Sequence, residues 1–422
     1  MVSELLQQVR LLDPVSETDR IADVLIKDNR IEAIETTRSP LADTIQVRDC
    51  QGLILGPGLV DLYSHSGEPG FESRETLSSL KQAAIAGGFT RVAILPDTTP
   101  PIDQPGAILS LQHQTQKPDS GPEPHLHYWG ALTLGLEGKQ MTELTELAAA
   151  GIVGFTDGRP WSSLVLLRRL LEYLQPLQKP IALWPCGLEL AGNGVMREGP
   201  DSIRFGLPGN PALAETSALA ALLEAVAETG TAVHIMRIST ARSVALIQAA
   251  RSSGLPVTAS TTWMHLLYNT QAIESYNPNL RLEPPLGSPA DQKALQQGLR
   301  QGILDGIAID HTPYTYEEKT VAFAEAPPGA IGLELALPQL WQALVETGTW
   351  TALELWAALS TGPARCLGQL APAIVPGQPA ELVLFDPQQT WLLEQKKLRS
   401  RSHNTPLLGQ TLTGRVLQVW CP

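Results

Sequence analysis

The sequence contains few of the residues that would mark a metal ribbon, a membrane span or a nucleic-acid surface. Its four cysteines, Cys50, Cys186, Cys366 and Cys421, form no Cys-x-x-Cys pair, so zinc ribbons and dithiol redox motifs are unsupported. No apolar run is long enough to span a bilayer, and the first residues carry acids and an arginine, which do not fit a signal peptide. We therefore expect a cytoplasmic protein with reduced thiols and no membrane contact.

Positive charge is also scarce. The formal net charge is −13 over 422 residues, and no basic patch is interleaved with aromatic side chains. An acidic protein is repelled by phosphate backbones, so nucleic acid is not an expected partner. The 43% hydrophobic and 17% charged composition is that of a folded chain with a sizeable core.

The ends and the middle of the chain show two different patterns of apolar residues. Both ends carry short runs with strand periodicity, and Asp28-Asn29 marks a hairpin between two of them. We expect these ends to form one composite β-sandwich domain, residues 1–55 with 370–422. The middle, residues 56–369, alternates apolar strand-like runs with helical stretches, which is typical of a parallel sheet covered by helices.

About eight such units over this length favour an α/β fold of the (β/α)8 barrel type. The predicted strands cover residues 59–64, 91–95, 130–134, 152–156, 180–184, 232–238, 256–261 and 306–309. The predicted helices include 75–86, 163–174, 214–229, 241–251 and 291–301. In this fold, chemistry takes place at the carboxyl ends of the strands.

One stretch, residues 57–70 with the sequence PGLVDLYSHSGEPG, lies at such a strand end. Side chains two residues apart on a strand face the same way, so Tyr63 and His65 are expected to point together. The chain contains one His-x-His pair, His125 and His127. We expect it at the surface before a strand, outside any site.

Longer motifs give the chain a family resemblance. Residues 57–77, 83–103, 151–160, 194–211, 233–244, 305–319, 323–334 and 401–416 follow one another as they do in class I dihydroorotases, and the sequence is identified as a member of that family within the amidohydrolase superfamily. The resemblance implies a zinc-bearing barrel. It also implies an ancestral reaction in pyrimidine biosynthesis, the reversible cyclisation of N-carbamoyl-aspartate to dihydroorotate.

The metal ligands that the resemblance implies are largely replaced here. The positions are Tyr63, His65, Asp157, Pro185, Arg237 and Asp310. A phenol is a poor zinc ligand, proline has no donor atom to offer, and a protonated guanidinium cannot bind a cation. We therefore expect no zinc cofactor, and we expect Arg237 to bridge Asp157, Asp310 or both in place of the metal.

The substrate side has changed as well. Gly67 and Gly287 stand where the family has arginines that bind the substrate carboxylate, while Asp97 and Glu283 stand where it has asparagines. Losing guanidinium donors and adding carboxylates disfavours a dianionic substrate. In this interpretation Asp310 is a vestigial catalytic residue, and Asp97 and His311 belong to a vestigial substrate pocket.

Three functions remain open at this point. The first is a non-catalytic homologue that assembles with other proteins, and the resemblance makes aspartate transcarbamoylase the first candidate partner, with a homo-oligomer also expected. The second is an active cyclic amidohydrolase with a rebuilt site. The third is a small-molecule binding module that uses the vacated pocket.

Overall fold

The computed structural model describes residues 3–35, 45–115 and 121–422. Its strands, in chain order, are β1 Ser3–Asp13, β2 Thr18–Lys27, β3 Arg30–Glu35, β4 Ile45–Asp49, β5 Ile54–Pro57, β6 Leu59–Ser64, β7 Phe89–Ile94, β8 His125–Gly130, β9 Gly154–Phe155, β10 Ala182–Leu183, β11 Met196–Arg197, β12 Gly209–Asn210, β13 Val233–Ile235, β14 Val257–Thr262, β15 Gly306–Ala308, β16 Leu382–Leu392 and β17 Thr411–Trp420.

The α-helices are α1 Leu77–Gly87, α2 Pro105–Thr115, α3 Leu144–Ala149, α4 Leu164–Leu174, α5 Leu188–Ala191, α6 Pro200–Phe205, α7 Ala212–Thr229, α8 Ala241–Ser252, α9 Trp263–Leu267, α10 Pro289–Arg300, α11 Tyr316–Lys319, α12 Ala336–Leu340, α13 Ala352–Leu359 and α14 Thr361–Cys366. Several begin at hydroxyl caps, as α1 does at Thr76 and α10 at Ser288, where the side-chain oxygen accepts a backbone N–H of the first turn.

Strands from both ends of the chain form one seven-stranded sheet, in the order β17-β16-β5-β1-β2-β3, with β4 paired to β1. The β2–β3 hairpin turns at Asp28 and Asn29, both at positive φ, as the sequence predicted. The sheet folds back on itself, because Arg30 pairs with Pro379 just before β16. It encloses a separate apolar core that includes Leu6, Val24 and Leu384.

Eight parallel strands form the barrel, in two runs of four, β6-β7-β8-β9 and β10-β13-β14-β15. The runs are joined by a bridge from Phe155 to Ile181 and by the backbone bond from Asp310 N to Tyr63 O, 3.1 Å long. The barrel fold with a β-rich companion domain is thus confirmed. The predicted boundaries between the two domains stay a prediction.

One barrel strand was predicted in the wrong place. β8 covers His125–Gly130 rather than 130–134, and it pairs with β7 from Arg91 opposite His125. The apolar run that follows Gly130 offered no marker of the strand end. His125 is exposed, whereas His127 is half-buried in the strand, where burial lowers its pKa to about 4.

The β domain is attached to the amino-terminal end of barrel strand β7. Arg91 donates to Glu381, with 2.6 Å between Nη2 and Oε2, and Thr90 donates to the same carboxylate. Both partners of the ion pair are largely buried. The barrel mouth, where the strands end, therefore lies free of the β domain's sheet and is available to form a pocket.

Candidate functional site

Four of the predicted site residues meet at the carboxyl ends of the barrel strands. Residues His65, Asp97, Arg237 and Asp310, here named the pocket cluster, follow β6, β7, β13 and β15 and line a pocket of about 270 Å³. Because parallel strands end at the same rim of the barrel, residues far apart in sequence become neighbours there.

Arg237 and Asp310 form the centre of the cluster. The guanidinium donates to both carboxylate oxygens, Nη2 to Oδ1 at 2.6 Å and Nε to Oδ2 at 3.0 Å, and Nη1 donates to the carbonyl of Gly158 at 3.0 Å. The side chains are 5% and 15% exposed. Burial alone would raise the pKa of Asp310, but Arg237 and His65 hold it well below its usual range.

His65 lies on the other side of Asp310. Its Nδ1 is 2.6 Å from Asp97 Oδ2, and its Nε2 is 3.6 Å from Asp310 Oδ1 and 3.2 Å from Arg237 Nη2. Burial disfavours the imidazolium, but the two carboxylates prevail and raise the pKa of His65 to about 9. At neutral pH two cations and two anions therefore balance in the cluster.

Tyr63 does not face the pocket, so the expectation that it points the same way as His65 was wrong. β6 ends at Ser64, and His65 lies beyond it, where the alternation of a strand no longer applies. Its hydroxyl accepts the backbone N–H of Arg237 at 3.0 Å and lies 3.0 Å from Ser260 Oγ, which in turn lies 2.9 Å from His234 Nε2. Burial raises the pKa of Tyr63 and lowers that of His234 to about 3, so both are neutral. The phenol therefore forms part of a buried chain of hydrogen bonds beneath the cluster and fixes the backbone of Arg237.

The backbone is strained at the two central residues. Arg237 has φ of 55° and Asp310 has φ of 51°, in the left-handed region that non-glycine residues rarely adopt. The bidentate ion pair and the hydrogen bond to the Tyr63 hydroxyl stabilise this conformation, in which the two side chains point at each other.

Asp157 and Pro185 do not join the cluster. Asp157 accepts hydrogen bonds from the backbone of Leu132 and Thr133 and from the Thr133 hydroxyl, at 2.7–3.0 Å. Pro185 lines a neighbouring cavity instead of the central pocket. The expectation that Arg237 bridges Asp157, Asp310 or both is therefore correct, with Asp310 as the partner, because the charge of Asp157 already has local donors.

His311 also lies elsewhere. Its ring is 1% exposed, with Nε2 3.2 Å from Glu75 Oε2 and Nδ1 accepting from the backbone of Gly332. Glu75 further accepts the Ser400 hydroxyl and the Arg401 N–H. This group, here named the buried cluster (Glu75, His311, Ser400 and Arg401), lies behind the rim, so assigning His311 to the substrate pocket was wrong.

The two glycines that replace arginines are closed in by the protein itself. A Cβ at Gly67 would lie 2.4 Å from the Glu75 carbonyl oxygen, and one at Gly287 would lie 2.8 Å from the Ser239 carbonyl oxygen. Distances below 3.0 Å to backbone atoms leave no room for a larger side chain. Glu283 lines the pocket opposite and pairs with Arg281 at 3.8 Å.

Trp184 was predicted only as a core or pocket-wall residue. It follows β10 and places its ring 4.7 Å from the Arg237 guanidinium, which is a cation–π contact that adds to the ion pair. The sequence signal for this role was weak, because only its position at a strand end distinguishes Trp184 from other tryptophans.

The donor set does not fit a metal centre. Within the described ranges, no group of three or more His, Cys, Asp and Glu side chains is arranged to hold a metal ion. The Arg237 guanidinium lies against both side chains, with Nη2 3.2 Å from His65 Nε2 and 2.6 Å from Asp310 Oδ1, and a protonated guanidinium has no lone pair to give.

Solved structures define the class of this fold. L-hydantoinase (dihydropyrimidinase) from Arthrobacter aurescens superposes with a TM-score of 0.84 at 22% identity, covering 100% of this chain and 97% of that one. Dihydropyrimidinase from Brevibacillus agri gives 0.81 at 20% identity, with 100% and 94% covered. The fold is the amidohydrolase-type barrel with its β-rich companion domain.

Sequence relatives define the family. The family model described as dihydro-orotase-like matches residues 52–243. A probable dihydroorotase-like protein of Synechocystis is 46% identical, with 97% of this chain and 98% of the relative covered, and a dihydroorotase of Syntrophus aciditrophicus is 36% identical, with 98% and 97% covered. The chain belongs to the dihydroorotase family. Among its described residues, no helix has the length and apolar character needed to cross a membrane.

Proposed function

We propose that this protein is a non-catalytic member of the dihydroorotase family that has lost its zinc and acts as a structural partner of another enzyme. The observation that carries the proposal is the contact of the Arg237 guanidinium with both His65 and Asp310. It supplies positive charge to Asp310 without Lewis acidity and without a bound water to act as nucleophile.

The substrate side supports the same proposal. The ancestral substrate is a dianion, and the arginine positions that would bind it are glycines closed in by backbone. Asp97 and Glu283 add negative charge to the pocket that would receive it. Each feature alone would weaken a hydrolase, and together they remove both metal activation and substrate recognition.

The scaffold, in contrast, keeps its caps, its barrel closure and its attachment to the β domain. We propose aspartate transcarbamoylase as the first partner to test, a homo-oligomeric state and a cytoplasmic location. These assignments rest on the family resemblance.

An activity measurement tests the loss of catalysis. We expect purified protein to contain no stoichiometric zinc and to show no turnover of dihydroorotate or N-carbamoyl-aspartate, with or without added zinc. The Syntrophus relative, a dihydroorotase 36% identical, provides the matched positive control. Turnover that a chelator abolishes would refute the proposal and establish the second candidate, an active cyclic amidohydrolase, which the names of the 36% identical relatives favour.

A binding measurement tests the partner. We expect the protein and the aspartate transcarbamoylase of the same cell to co-elute in size-exclusion chromatography with a fixed stoichiometry. Separate elution at micromolar concentrations of both proteins would refute this partner while leaving the loss of catalysis untouched.

A further inference from the structure

A groove of about 790 Å³ lies between helix α1 and strand β17 of the β domain. One wall is a single face of α1, because its residues are spaced three or four apart along the helix: Ser78, Lys81, Gln82 and Ile85. The other wall is formed by residues 414–419 of β17. We call this space the edge groove.

β17 presents its backbone edge to the groove. It is the end strand of its sheet, and it pairs with β16 alone among the strands that the structure describes. Successive side chains of a strand point to opposite faces, so a wall made of six consecutive residues is the edge of the strand and not one of its faces. Such an edge carries N–H and C=O groups that can pair with another extended segment.

The dimensions of the edge groove fit one added strand. Six residues of β17 extend over about 17 Å, which is the length of an ordinary β-strand. Because α1 bounds the groove on its far side, the space suits a single extended segment better than the sheet of a second folded copy. Addition of a strand to an open sheet edge is a common way in which folded proteins bind peptides.

The edge groove is positively charged, although the protein as a whole has a net charge of −13. Four cations and two carboxylates line it: Lys81, Lys397, Arg399 and Arg415, with Glu123 and Glu334. Both carboxylates already have donors. Glu123 pairs with Lys81 at 2.6 Å, and Glu334 accepts the backbone N–H groups of Arg399 and Ser400. The acids of this groove therefore do not neutralise its arginine side chains.

The two arginines have no anionic partner. Arg399 and Arg415 are exposed, and neither guanidinium forms a hydrogen bond or an ion pair with a described residue. The Arg415 guanidinium lies over the Trp391 ring, 5.4 Å from its centroid, and this contact holds it beside the strand. A segment paired with β17 would meet two guanidinium groups, which bind carboxylates well.

We propose that the edge groove binds an acidic, extended segment of a partner protein, which pairs with β17 as an added strand and places carboxylates against Arg399 and Arg415. Backbone hydrogen bonds along the edge supply affinity, and the arginines select for negative charge. This inference deepens the proposed structural role and rests on it only for the existence of a partner.

The experiment is fluorescence anisotropy of the full-length protein with a labelled peptide of alternating threonine and glutamate as the probe. Two matched peptides are compared with it. One alternates threonine and lysine, and the other has the original sequence with N-methylated amides, so that it keeps its charge but cannot donate to a strand edge. We expect saturable binding of the probe at micromolar concentration and no binding of the other two peptides.

Variants of the groove test the same contacts. Arg399→Gln and Arg415→Gln should each weaken probe binding about threefold, and together about tenfold, since an exposed ion pair contributes modestly. Gln82→Trp should abolish binding, because the indole fills the groove without changing its charge. The matched control is Arg204→Gln, an exposed arginine paired with Glu274 outside the groove, which should leave binding unchanged. All of the substituted side chains are exposed, so the variants are expected to fold, and their melting temperatures provide the check.

Three outcomes would overturn the proposal. These are no saturable binding of the probe, equal affinity for the N-methylated peptide, which would mean attraction of any polyanion without strand pairing, and probe binding that Gln82→Trp does not alter. The result can be separated from the proposed function. Probe binding by a protein that turns over dihydroorotate would support the groove and refute the loss of catalysis. No probe binding by a protein that co-elutes with aspartate transcarbamoylase would refute the groove alone.

Discussion

Asp310 and His311 are adjacent in the chain, but their side chains point into two different regions of the molecule. Asp310 faces the pocket and pairs with Arg237, while His311 faces the interior and contacts Glu75. The pocket cluster places the Arg237 guanidinium against Asp310 and His65 at the mouth of the barrel. The buried cluster fastens the segment around Ser400 to the barrel rim. The comparison separates a part of the rim that is held by buried contacts from a part that lines the pocket.

The largest expected effect lies in the buried cluster. Glu75→Gln should lower the free energy of unfolding by about 4 kcal/mol, because a fully buried carboxylate that accepts from Ser400, Arg401 and His311 is replaced by an amide with its own donors. Urea unfolding followed by fluorescence measures the loss. Glu72→Gln, on the exposed side of the same loop, is the control; a loss no larger than the control's would mean that the buried cluster does not hold the rim.

The next effect lies in the pocket cluster. Arg237→Met should cost about 3 kcal/mol, because the largely buried Asp310 loses its two-pronged hydrogen-bond donor and keeps only the His65 ring, 3.6 Å away. The same unfolding measurement should show that Arg237→Met with Asp310→Asn recovers most of this loss, since no charge is then left alone. Strictly additive losses in the double variant would show that the two side chains do not depend on each other.

His65 makes the stability of the pocket cluster depend on pH. Its pKa in the folded protein is about 9, above its ordinary value of 6.5. A raised pKa means that the folded state holds the proton more tightly. The stabilisation is therefore complete below pH 6.5 and is lost as pH rises toward 9.

We expect the free energy of unfolding to fall by about 2 kcal/mol more between pH 6 and pH 9 in the native protein than in His65→Gln. Urea midpoints at the two pH values measure this difference. The exposed His113→Gln should behave as the native protein does. If His65→Gln had the same pH dependence as the native protein, another group than His65 would cause it.

The smallest expected effect is that of Tyr63, which contributes a hydrogen bond and no charge. Tyr63→Phe removes the acceptor of the Arg237 backbone N–H and should cost about 1–2 kcal/mol without altering the pH dependence. Thermal unfolding at two pH values measures both quantities. The exposed Tyr316→Phe should cost nothing measurable, and a shift in the pH dependence of Tyr63→Phe would contradict a purely structural phenol.

The sequence was sufficient to bring His65, Asp97, Arg237 and Asp310 together, because parallel strands of a barrel end at one rim. It also predicted the Arg237–Asp310 pair, since a carboxylate buried without a partner is costly. The first inference needed only the positions of the residues at their strand ends, whereas the second also used the metal-ligand positions that the family resemblance implies.

The orientations of the Asp157 and His311 side chains could not be predicted from their positions along the strands. Asp157 turns toward Thr133, and His311 turns toward Glu75, 236 residues earlier in the chain. These orientations depend on hydrogen-bond donors and acceptors that come close to the two side chains only when the chain folds. The register of β8 failed for a related reason, because the apolar run around Gly130 fits a strand equally well in several frames.

Gly67 and Gly287 have a consequence for how this protein could change. The backbone of Glu75 and of Ser239 now occupies the space that an arginine side chain would begin to fill. Restoring either arginine by a single codon change would disturb the rim before it could recruit any substrate. An arginine at either position therefore requires coordinated changes in the surrounding loops, and no single substitution supplies a guanidinium there.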